Sequence, residues 1–231
     1  MAFAEALERL EERIRRACAR SGRAREGITL LGVSKFHCRE AVEEAWKNGL
    51  RFFGENRVQE GAEKFSGFRE THPGAELHLI GSLQSNKARA AVSLFDCVQS
   101  VDRDSIIREL GKYAASRERP LRVLLELHTG EESKRGFPDE ESLFRAAEAV
   151  LSFPGLRPAG LMTMAPFTDE EGRIRDSFRR ALKARAKLLS RFPDADWSCL
   201  SMGMSGDFEI AIEEGATLIR IGTLLFGERP R

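Results

Sequence analysis

A single lysine ends a run of apolar, β-favouring residues early in the chain. Residues 28–35 have the sequence Ile-Thr-Leu-Leu-Gly-Val-Ser-Lys, and such a run without polar alternation is typical of a strand buried on both faces. Because a charged ammonium is costly inside such a strand, we expect Lys35 at its carboxyl end, where parallel α/β folds bind ligands. A half-buried lysine there can lose its proton and form a Schiff base with a carbonyl, whereas an ordinary surface lysine would only begin a loop.

Two loops near the end of the chain carry glycines and hydroxyls in a pattern suited to phosphate. Barrel folds frequently bind phosphate with the loops after strands seven and eight and the start of a short helix. Bare backbone can approach a ligand closely, and the N–H groups at a helix start attract an anion. The residues are Gly203, Ser205 and Gly206 after predicted strand seven, and Gly222 and Thr223 after predicted strand eight. Asp207 and Glu209 favour the alternative that the first loop is an ordinary helix cap.

Arg220 lies inside the apolar segment that is predicted to form the eighth strand. An unpaired guanidinium is costly in such a place, so a structural salt bridge is one explanation. The other explanation is a hydrogen bond from Arg220 to a bound ligand. Side-chain alternation puts Leu218, Arg220 and Gly222 on one face of the strand, and Ile219 and Ile221 on the other.

A reactive lysine at one end of a site and a phosphate cradle at the other fit a phosphorylated aldehyde. Pyridoxal 5'-phosphate (PLP) meets both requirements, and its ring nitrogen would face Arg220 between the two ends. A Schiff-base aldolase acting on a phosphorylated sugar is an alternative. Glu55 and Asp102 could serve such an aldolase, although each also suits an ordinary loop or cap position.

The elements that would hold these residues alternate regularly along the chain. Hydrophobic periodicity predicts eight strands separated by helices, after one amphipathic helix over residues 2–20. The predicted strands cover residues 28–35, 51–54, 77–81, 96–101, 121–127, 161–164, 197–201 and 217–223. This is the pattern of a (β/α)8 TIM barrel, and a typical barrel of about 250 residues leaves no room for a second domain. We therefore predict one α/β barrel domain over residues 1–231 with an extra N-terminal helix, and an open doubly wound sheet is the alternative.

Two helices carry further local predictions. Residues 58–68 are predicted to form one helix. Asp102 is predicted to cap the helix that follows the fourth strand, and Tyr113 lies within that helix.

Composition restricts the class of protein. The 231 residues are 42% hydrophobic and 32% charged with a formal net charge of +1, which suits a globular domain and argues against nucleic acid as the main partner. The acidic N-terminus is unlike a signal peptide, and no apolar run approaches the ~18 residues that span a bilayer. The four cysteines and four histidines are scattered, without the spacing of a disulfide framework or a metal site. We therefore expect a cytoplasmic protein with no membrane segment and no metal.

Six short motifs occur in order along the chain. They are Val33-Ser34-Lys35, Gly54-Glu55-Asn56 with Val58-Gln59-Glu60, Ile80-Gly81 with Leu83-Gln84-Ser85-Asn86-Lys87, Gly160-Leu161-Met162, Ser201-Met202-Gly203-Met204-Ser205, and Arg220-Ile221-Gly222-Thr223. Together they resemble the motifs of one known family, the YggS-like pyridoxal phosphate homeostasis proteins, over about residues 28–227.

The resemblance implies a PLP-binding barrel like the N-terminal domain of alanine racemase, with the cofactor held as a Schiff base on Lys35. It implies phosphate contacts from Ser205, Gly222 and Thr223, and a contact between Arg220 and the ring nitrogen. The full set of cofactor-binding residues that it implies is Lys35, Asn56, Ser201, Met204, Ser205, Arg220, Gly222 and Thr223. It also implies a role in vitamin B6 and amino-acid homeostasis without established turnover.

The chemistry of the site leads to the same expectation. Arginine stays protonated, so Arg220 can only donate to the pyridine nitrogen and keeps it unprotonated, which makes the ring a poor electron sink. Racemisation needs a base on each side of the substrate carbon, and the single tyrosine, Tyr113, lies in a predicted helix away from the site. We therefore expect no catalytic residue, and a monomeric PLP carrier with apo PLP-dependent enzymes as recipients. A racemase-like enzyme is the alternative.

Overall fold

Eight apolar segments form a closed parallel barrel in the computed structural model, which describes residues 3–130 and 135–228. The strands are β1 (Thr29–Val33), β2 (Phe52–Glu55), β3 (Glu76–Leu79), β4 (Cys97–Val101), β5 (Leu121–Glu126), β6 (Leu156–Met162), β7 (Cys199–Ser201) and β8 (Leu218–Ile221). All neighbouring strands are parallel, and β8 pairs with β1 in a register that sets Arg220 beside Leu31. The predicted TIM barrel is confirmed, and closure between β1 and β8 excludes an open sheet.

Helices surround the barrel, and a further helix precedes it. They are α1 (Phe3–Arg20), α2 (Arg39–Lys47), α3 (Val58–Lys64), α4 (Phe68–Thr71), α5 (Ala88–Leu94), α6 (Asp104–Ala114), α7 (Glu140–Leu151), α8 (Glu171–Arg191), α9 (Phe208–Glu213) and α10 (Thr223–Phe226). The apolar residues of α1 recur every three or four positions, so one face of the helix is buried while its charged face stays in solvent. The predicted N-terminal helix is confirmed. No helix within the described ranges combines the length and apolar character needed to cross a membrane.

The core has two layers because side chains alternate across each strand. Ile219 and Ile221 belong to the large cluster between the strands and the helices. Leu218 instead packs with Leu31 and Val33 in a smaller cluster inside the barrel. The alternation predicted for β8 is therefore confirmed, and it directs Arg220 inward.

Strands β6 and β7 differ from their predicted extents. β6 begins at Leu156, five residues before the predicted start, and contains Pro158. A proline normally argues against a central strand, but here the pairing of β5 with β6 shifts register beside Pro158, and such an irregularity tolerates the missing N–H. β7 is shorter than predicted, because it begins at Cys199. Trp197 lies before the strand and is a fully buried core residue.

Two predictions about helices were wrong. The helix predicted over residues 58–68 is divided into α3 and α4, because Gly67 adopts a left-handed conformation with φ of 64° and starts a new turn. Asp102 does not cap α6, whose cap position is Arg103; its carboxylate instead accepts a hydrogen bond from the Arg103 guanidinium at 2.5 Å.

Candidate functional site

Lys35 lies two residues beyond the end of β1 and lines a cavity of about 250 Å3 at the carboxyl end of the barrel. The side chain is half-buried, as the sequence predicted. The cavity is close to the lower end of the range for small-molecule sites, about 300 Å3. Its lining residues are Val33, Lys35, Phe36, His37, Ile80, Met204, Ser205, Gly206, Arg220, Gly222, Thr223 and Gly227. Six of the eight predicted cofactor residues therefore share one cavity.

Ser205 and Thr223 bring two hydroxyls to this cavity from the loops after β7 and β8. Ser205 is not at a helix start, since α9 begins at Phe208. Thr223 does begin a short helix, α10, and Gly222 precedes it. The prediction of two adjoining loops with hydroxyls and bare backbone is confirmed, whereas the predicted helix start at Ser205 is wrong.

Asp207 occupies the cap position of α9, but neither its side chain nor that of Glu209 forms a cap hydrogen bond to the start of the helix. The Asp207 carboxylate accepts a hydrogen bond from the Met204 backbone N–H at 2.6 Å, and Glu209 pairs with Arg13 of α1 at 3.2 Å. Burial raises the pKa of Asp207, with the Met204 hydrogen bond acting in the opposite direction. Asp207 thus fixes the shape of the loop that presents Ser205.

The two glycines of the same loop differ, since Gly203 is packed against α9 while Gly206 lines the cavity. Gly203 has φ of 93°, and a Cβ atom there would lie 2.6 Å from the Cβ of Ala211 in α9. A Cβ on Gly206 would meet nothing within 4 Å. Gly203 is therefore needed for contact between the loop and α9, whereas Gly206 leaves the backbone open beside the cavity.

Arg220 reaches the cavity from inside the barrel and is only 4% exposed. Its Nη1 donates to Ser201 Oγ at 2.7 Å, and its Nη2 donates to the Thr163 carbonyl at 2.8 Å. Burial lowers the pKa of Arg220, while the charges of Asp207 and Glu126 act in the opposite direction. No carboxylate of residues 3–130 or 135–228 forms an ion pair with Arg220, so the alternative of a structural salt bridge is wrong for this part of the chain.

Ser201 and Asn56 are the two predicted residues that do not line the cavity. Ser201 lies behind Arg220, from which its hydroxyl accepts a hydrogen bond. The same hydroxyl donates to Gln99 Oε1 at 2.6 Å. Asn56 lines a neighbouring cleft of about 710 Å3 that also includes Lys87 and Arg135. Residues 129–136 are predicted from the sequence to form a polar loop, and Lys134 of that loop lies outside the described residues.

Two cavity residues outside the predicted cofactor-binding set follow Lys35 directly. Phe36 is 43% exposed and has φ of 68°, the one positive φ at a non-glycine position in the described residues. The His37 ring lies 5.2 Å from the Phe226 ring. Burial and then the Lys64 ammonium lower the pKa of His37, so its imidazole is neutral at pH 7. Adjacency to Lys35 was the signal that could have identified them.

A buried ion-pair cluster lies next to the Lys35 loop. The Lys64 ammonium donates to Glu55 Oε1 at 2.7 Å, to Glu60 Oε1 at 3.0 Å and to the Ser34 carbonyl at 2.6 Å. Ser34 Oγ also donates to Glu55 Oε1 at 2.7 Å. Burial raises the pKa of Glu55, whereas the bonds from Lys64 and Ser34 lower it. This cluster could not be predicted from sequence, because Glu60 and Lys64 are spaced like an ordinary solvated pair on a helix.

The residues around the cavity fit PLP. A half-buried amine, two hydroxyls and a buried guanidinium without a carboxylate partner among the described residues match an aldehyde, a phosphate and a ring nitrogen, respectively. A metal centre has no such support, since the described residues contain no group of three or more His, Cys, Asp or Glu side chains able to hold an ion.

Comparisons with known proteins agree in family and fold. The family model for the N-terminal domain of alanine racemase matches residues 6–230. A pyridoxal phosphate homeostasis protein of Aquifex aeolicus is 40% identical over 225 residues, which cover 97% of each chain. Its counterpart in Escherichia coli K12 is 40% identical over 228 residues, covering 98% of this chain and 97% of the relative.

Solved structures give the same result. PipY of Synechococcus elongatus PCC7942, solved with PLP bound, has a TM-score of 0.84 and 35% identity over 97% of this chain and 100% of PipY. Alanine racemase of Clostridium difficile 630 has a TM-score of 0.76 but only 15% identity, over 100% of this chain and 57% of the racemase. The racemase likeness shows the fold alone.

Proposed function

The chain belongs to the family of pyridoxal phosphate homeostasis proteins, and we propose that it binds PLP as a reversible Schiff base on Lys35. Its role on this proposal is in PLP, or vitamin B6, and amino-acid homeostasis. The observation that carries the proposal is the single cavity that Lys35 shares with Ser205, Thr223 and Arg220. A relative solved with PLP bound supports the choice of cofactor.

Each group around the cavity has a task in this proposal. Lys35 supplies the amine that attacks an aldehyde, from a half-buried position beyond the end of β1. Ser205, Gly222 and Thr223 bind the phosphate, with Met204 beside them at the rim. Arg220 donates to the ring nitrogen while Ser201 and the Thr163 carbonyl hold its guanidinium in place. Bound PLP would supply an aldehyde carbon that exchanges between amines.

The same residues support a carrier instead of an enzyme. Arg220 carries no proton that it can give up at neutral pH, so it keeps the ring nitrogen unprotonated and the ring a weak electron sink. Tyr113 lies in α6 and lines a separate cleft with Arg89 and Arg117. Lys35 alone can exchange the cofactor with a free amine, so apo PLP-dependent enzymes are the proposed recipients. We expect the carrier to be a cytoplasmic monomer.

One observation favours a weak racemase-like activity as a second candidate. His37 lines the cavity beside Lys35, and burial lowers its pKa, which favours the neutral imidazole with one ring nitrogen able to accept a proton. A second base near Lys35 is what proton exchange at a substrate carbon requires. Sustained α-hydrogen exchange of an amino acid in deuterated water, lost in His37→Ala, would support this candidate.

The aldolase alternative has less support. Glu55 is fully buried and holds Lys64 and Ser34, while Asp102 accepts from Arg103. Neither carboxylate lines the cavity that contains Lys35. Both side chains are therefore occupied by structural contacts.

Borohydride reduction of the PLP-loaded protein, followed by peptide mapping, tests the proposal. We expect a visible imine absorption before reduction and a pyridoxyl group on Lys35 after it, and Lys35→Ala should lose both. Lys87→Ala is the matched control, because Lys87 lines the neighbouring cleft and should not affect the label. A label on Lys87 or Lys134 with none on Lys35 would contradict the proposal. Recovery of activity by an apo PLP-dependent enzyme mixed with the loaded protein tests hand-over.

A further inference from the structure

The backbone on both sides of Lys35 is held by one buried cluster of charged side chains. Glu60 Oε1 accepts a hydrogen bond from the Phe36 backbone N–H at 2.5 Å. On the other side, Ser34 offers its carbonyl to the Lys64 ammonium at 2.6 Å and donates its hydroxyl to Glu55 at 2.7 Å. Phe36 is therefore anchored by Glu60, and Ser34 by Lys64 and Glu55, which all belong to one cluster.

The cluster joins two elements that are separate in sequence from the Lys35 loop. Glu55 is the last residue of β2, and Glu60 and Lys64 lie one turn apart on α3. Lys64 is 8% exposed and Glu55 is not exposed at all. A hydrogen bond between the Ser34 N–H and the Gly54 carbonyl, at 3.1 Å, continues the β1–β2 pairing up to the loop.

Stability alone is a poor explanation for such a cluster. Taking charges out of water costs as much as or more than their attraction returns, so well-packed apolar residues often serve stability equally well. One oxygen of Glu55, Oε2, is buried with no hydrogen-bond partner in the described residues, which adds to that cost. The contacts that the cluster does make converge on the two residues that flank Lys35.

Phe36 shows what the cluster has to hold in place. A bulky residue with φ of 68° is disfavoured by its own Cβ, and its ring is too exposed for packing to fix the backbone. The bond from the Phe36 N–H to Glu60 opposes a return to an ordinary conformation, and Lys64 holds Glu60 at 3.0 Å. Such a return would rotate the chain directly after Lys35.

We propose that Glu60 and Lys64 are positioning residues that fix the Lys35 loop in the conformation that forms the Schiff base. The inference rests on the proposed function, because it concerns how Lys35 meets PLP. It predicts that weakening the cluster slows Schiff-base formation while leaving the phosphate and ring contacts intact. Neither residue contacts the cofactor itself on this inference.

The test compares two ligands in the full-length protein. PLP can form the Schiff base, whereas pyridoxine 5'-phosphate has an alcohol in place of the aldehyde and reports only on the phosphate and ring contacts. In Glu60→Ala we expect imine absorption to form at least tenfold more slowly from added PLP, with the Kd for pyridoxine 5'-phosphate changed less than twofold. Glu60→Gln keeps an oxygen that accepts from the Phe36 N–H, so its rate should stay within about threefold of the parent.

Glu63→Ala is the matched control, because Glu63 is an exposed glutamate on the same helix. It should form the imine at the parent's rate. A parent rate in Glu60→Ala would overturn the inference, and so would an equal loss of affinity for both ligands, which would indicate general damage to the barrel. The parent protein tests the proposed function, which fails if the parent forms no Schiff base on Lys35. If the parent forms the Schiff base and Glu60→Ala forms it equally fast, only the inference about Glu60 and Lys64 is refuted.

Discussion

Lys64, which contacts the residues next to Lys35, and Arg220, which lines the cavity, are both buried cations with different kinds of partner. Lys64 is 8% exposed and its ammonium contacts two carboxylates and one carbonyl. Arg220 is 4% exposed, and its two hydrogen-bonded nitrogens donate to neutral oxygens, the Ser201 hydroxyl and the Thr163 carbonyl. The first cation is neutralised within the chain, whereas the second is hydrogen-bonded but not neutralised.

The difference indicates that the charge of Lys64 stabilises the fold, whereas the charge of Arg220 is available to a ligand. A buried cation with carboxylate partners is costly to disturb, because removing it leaves those carboxylates unpaired in a dry environment. A guanidinium held by neutral oxygens keeps its full charge and a fixed orientation. That is the state in which Arg220 can attract an electron-rich ring nitrogen beside an anionic phosphate.

The largest expected effect is on folding stability when Lys64 is removed. Lys64→Met should lower the free energy of unfolding by about 3–5 kcal/mol, because Glu55 and Glu60 lose their shared cation inside the protein. Urea unfolding followed by circular dichroism measures this. Lys47→Met, at an exposed lysine at the end of α2, is the control and should change stability little. A loss below about 1 kcal/mol, the size of a surface pair, would contradict the assignment of Lys64 as a structural cation.

Arg220→Met should weaken PLP binding more than it lowers the free energy of unfolding. Loss of a charged hydrogen bond to the ring nitrogen should cost about 1.5–3 kcal/mol, or roughly ten- to a hundredfold in the Kd for PLP. The apo-protein should lose less stability than Lys64→Met does, since no carboxylate of the described residues forms an ion pair with Arg220. Equilibrium dialysis and urea unfolding measure the two effects. If Arg220→Met retains PLP like the parent but unfolds as easily as Lys64→Met, the contrast between the two cations is wrong.

Ser205→Asp tests the anionic side of the ligand site. A carboxylate at this position would repel the phosphate, and we expect PLP to bind at least tenfold more weakly, equivalent to about 1.4 kcal/mol. Ser205→Ala separates repulsion from loss of the hydroxyl and should have the smaller effect. The thermal midpoint should not change, because Ser205 lies in a partly exposed turn. Unchanged retention of PLP through dialysis would place the phosphate elsewhere.

The smallest expected effect concerns Glu76 and Arg122, which form an ion pair at the opposite end of the barrel. Their contribution to folding stability should depend on pH. His78 and Arg122 lower the pKa of Glu76 to about 2, against an unfolded value of about 4.3. A depressed carboxylate pKa stabilises the fold above the unfolded value, and the benefit is lost as pH falls towards the folded value. Glu76 and Arg122 are about one-third exposed, so solvent limits the contribution to about 1 kcal/mol or less.

Glu76→Gln should therefore be less stable than the parent at pH 7, and the difference should shrink between about pH 4 and pH 2. Urea unfolding at pH 7 and pH 2.5 measures this difference. A gap that grows as the pH falls would show that Glu76 is not stabilised as its carboxylate.

The barrel could be predicted from sequence because parallel strands buried on both faces leave continuous apolar runs. The position of Lys35 followed from the same rule, since charge is excluded from such a strand. The start of β6 was missed because Pro158 normally excludes a strand, and only its pairing with β5 shows the irregularity that accommodates it. Local propensity cannot reveal a register shift that depends on a neighbouring strand.

The site was predictable only as far as local signals reach. Ser205, Thr223 and Arg220 stand out because hydroxyls near glycines and an arginine in an apolar strand are unusual. Glu60 and Lys64 do not stand out, because a glutamate and a lysine one turn apart are common on exposed helices. Their burial results from contact with the Lys35 loop, which is 30 positions away along the chain from Lys64.

The contact between α1 and α10 has a consequence for how this protein can evolve. Phe226 of α10 has its ring 5.4 Å from Phe3 of α1 and 5.2 Å from His37 in the cavity wall, and Thr223, the first residue of α10, lines the cavity. A substitution that loosens the outer helix therefore also moves the wall of the ligand site. Selection on how long the ligand stays bound therefore limits which substitutions α1 can accept.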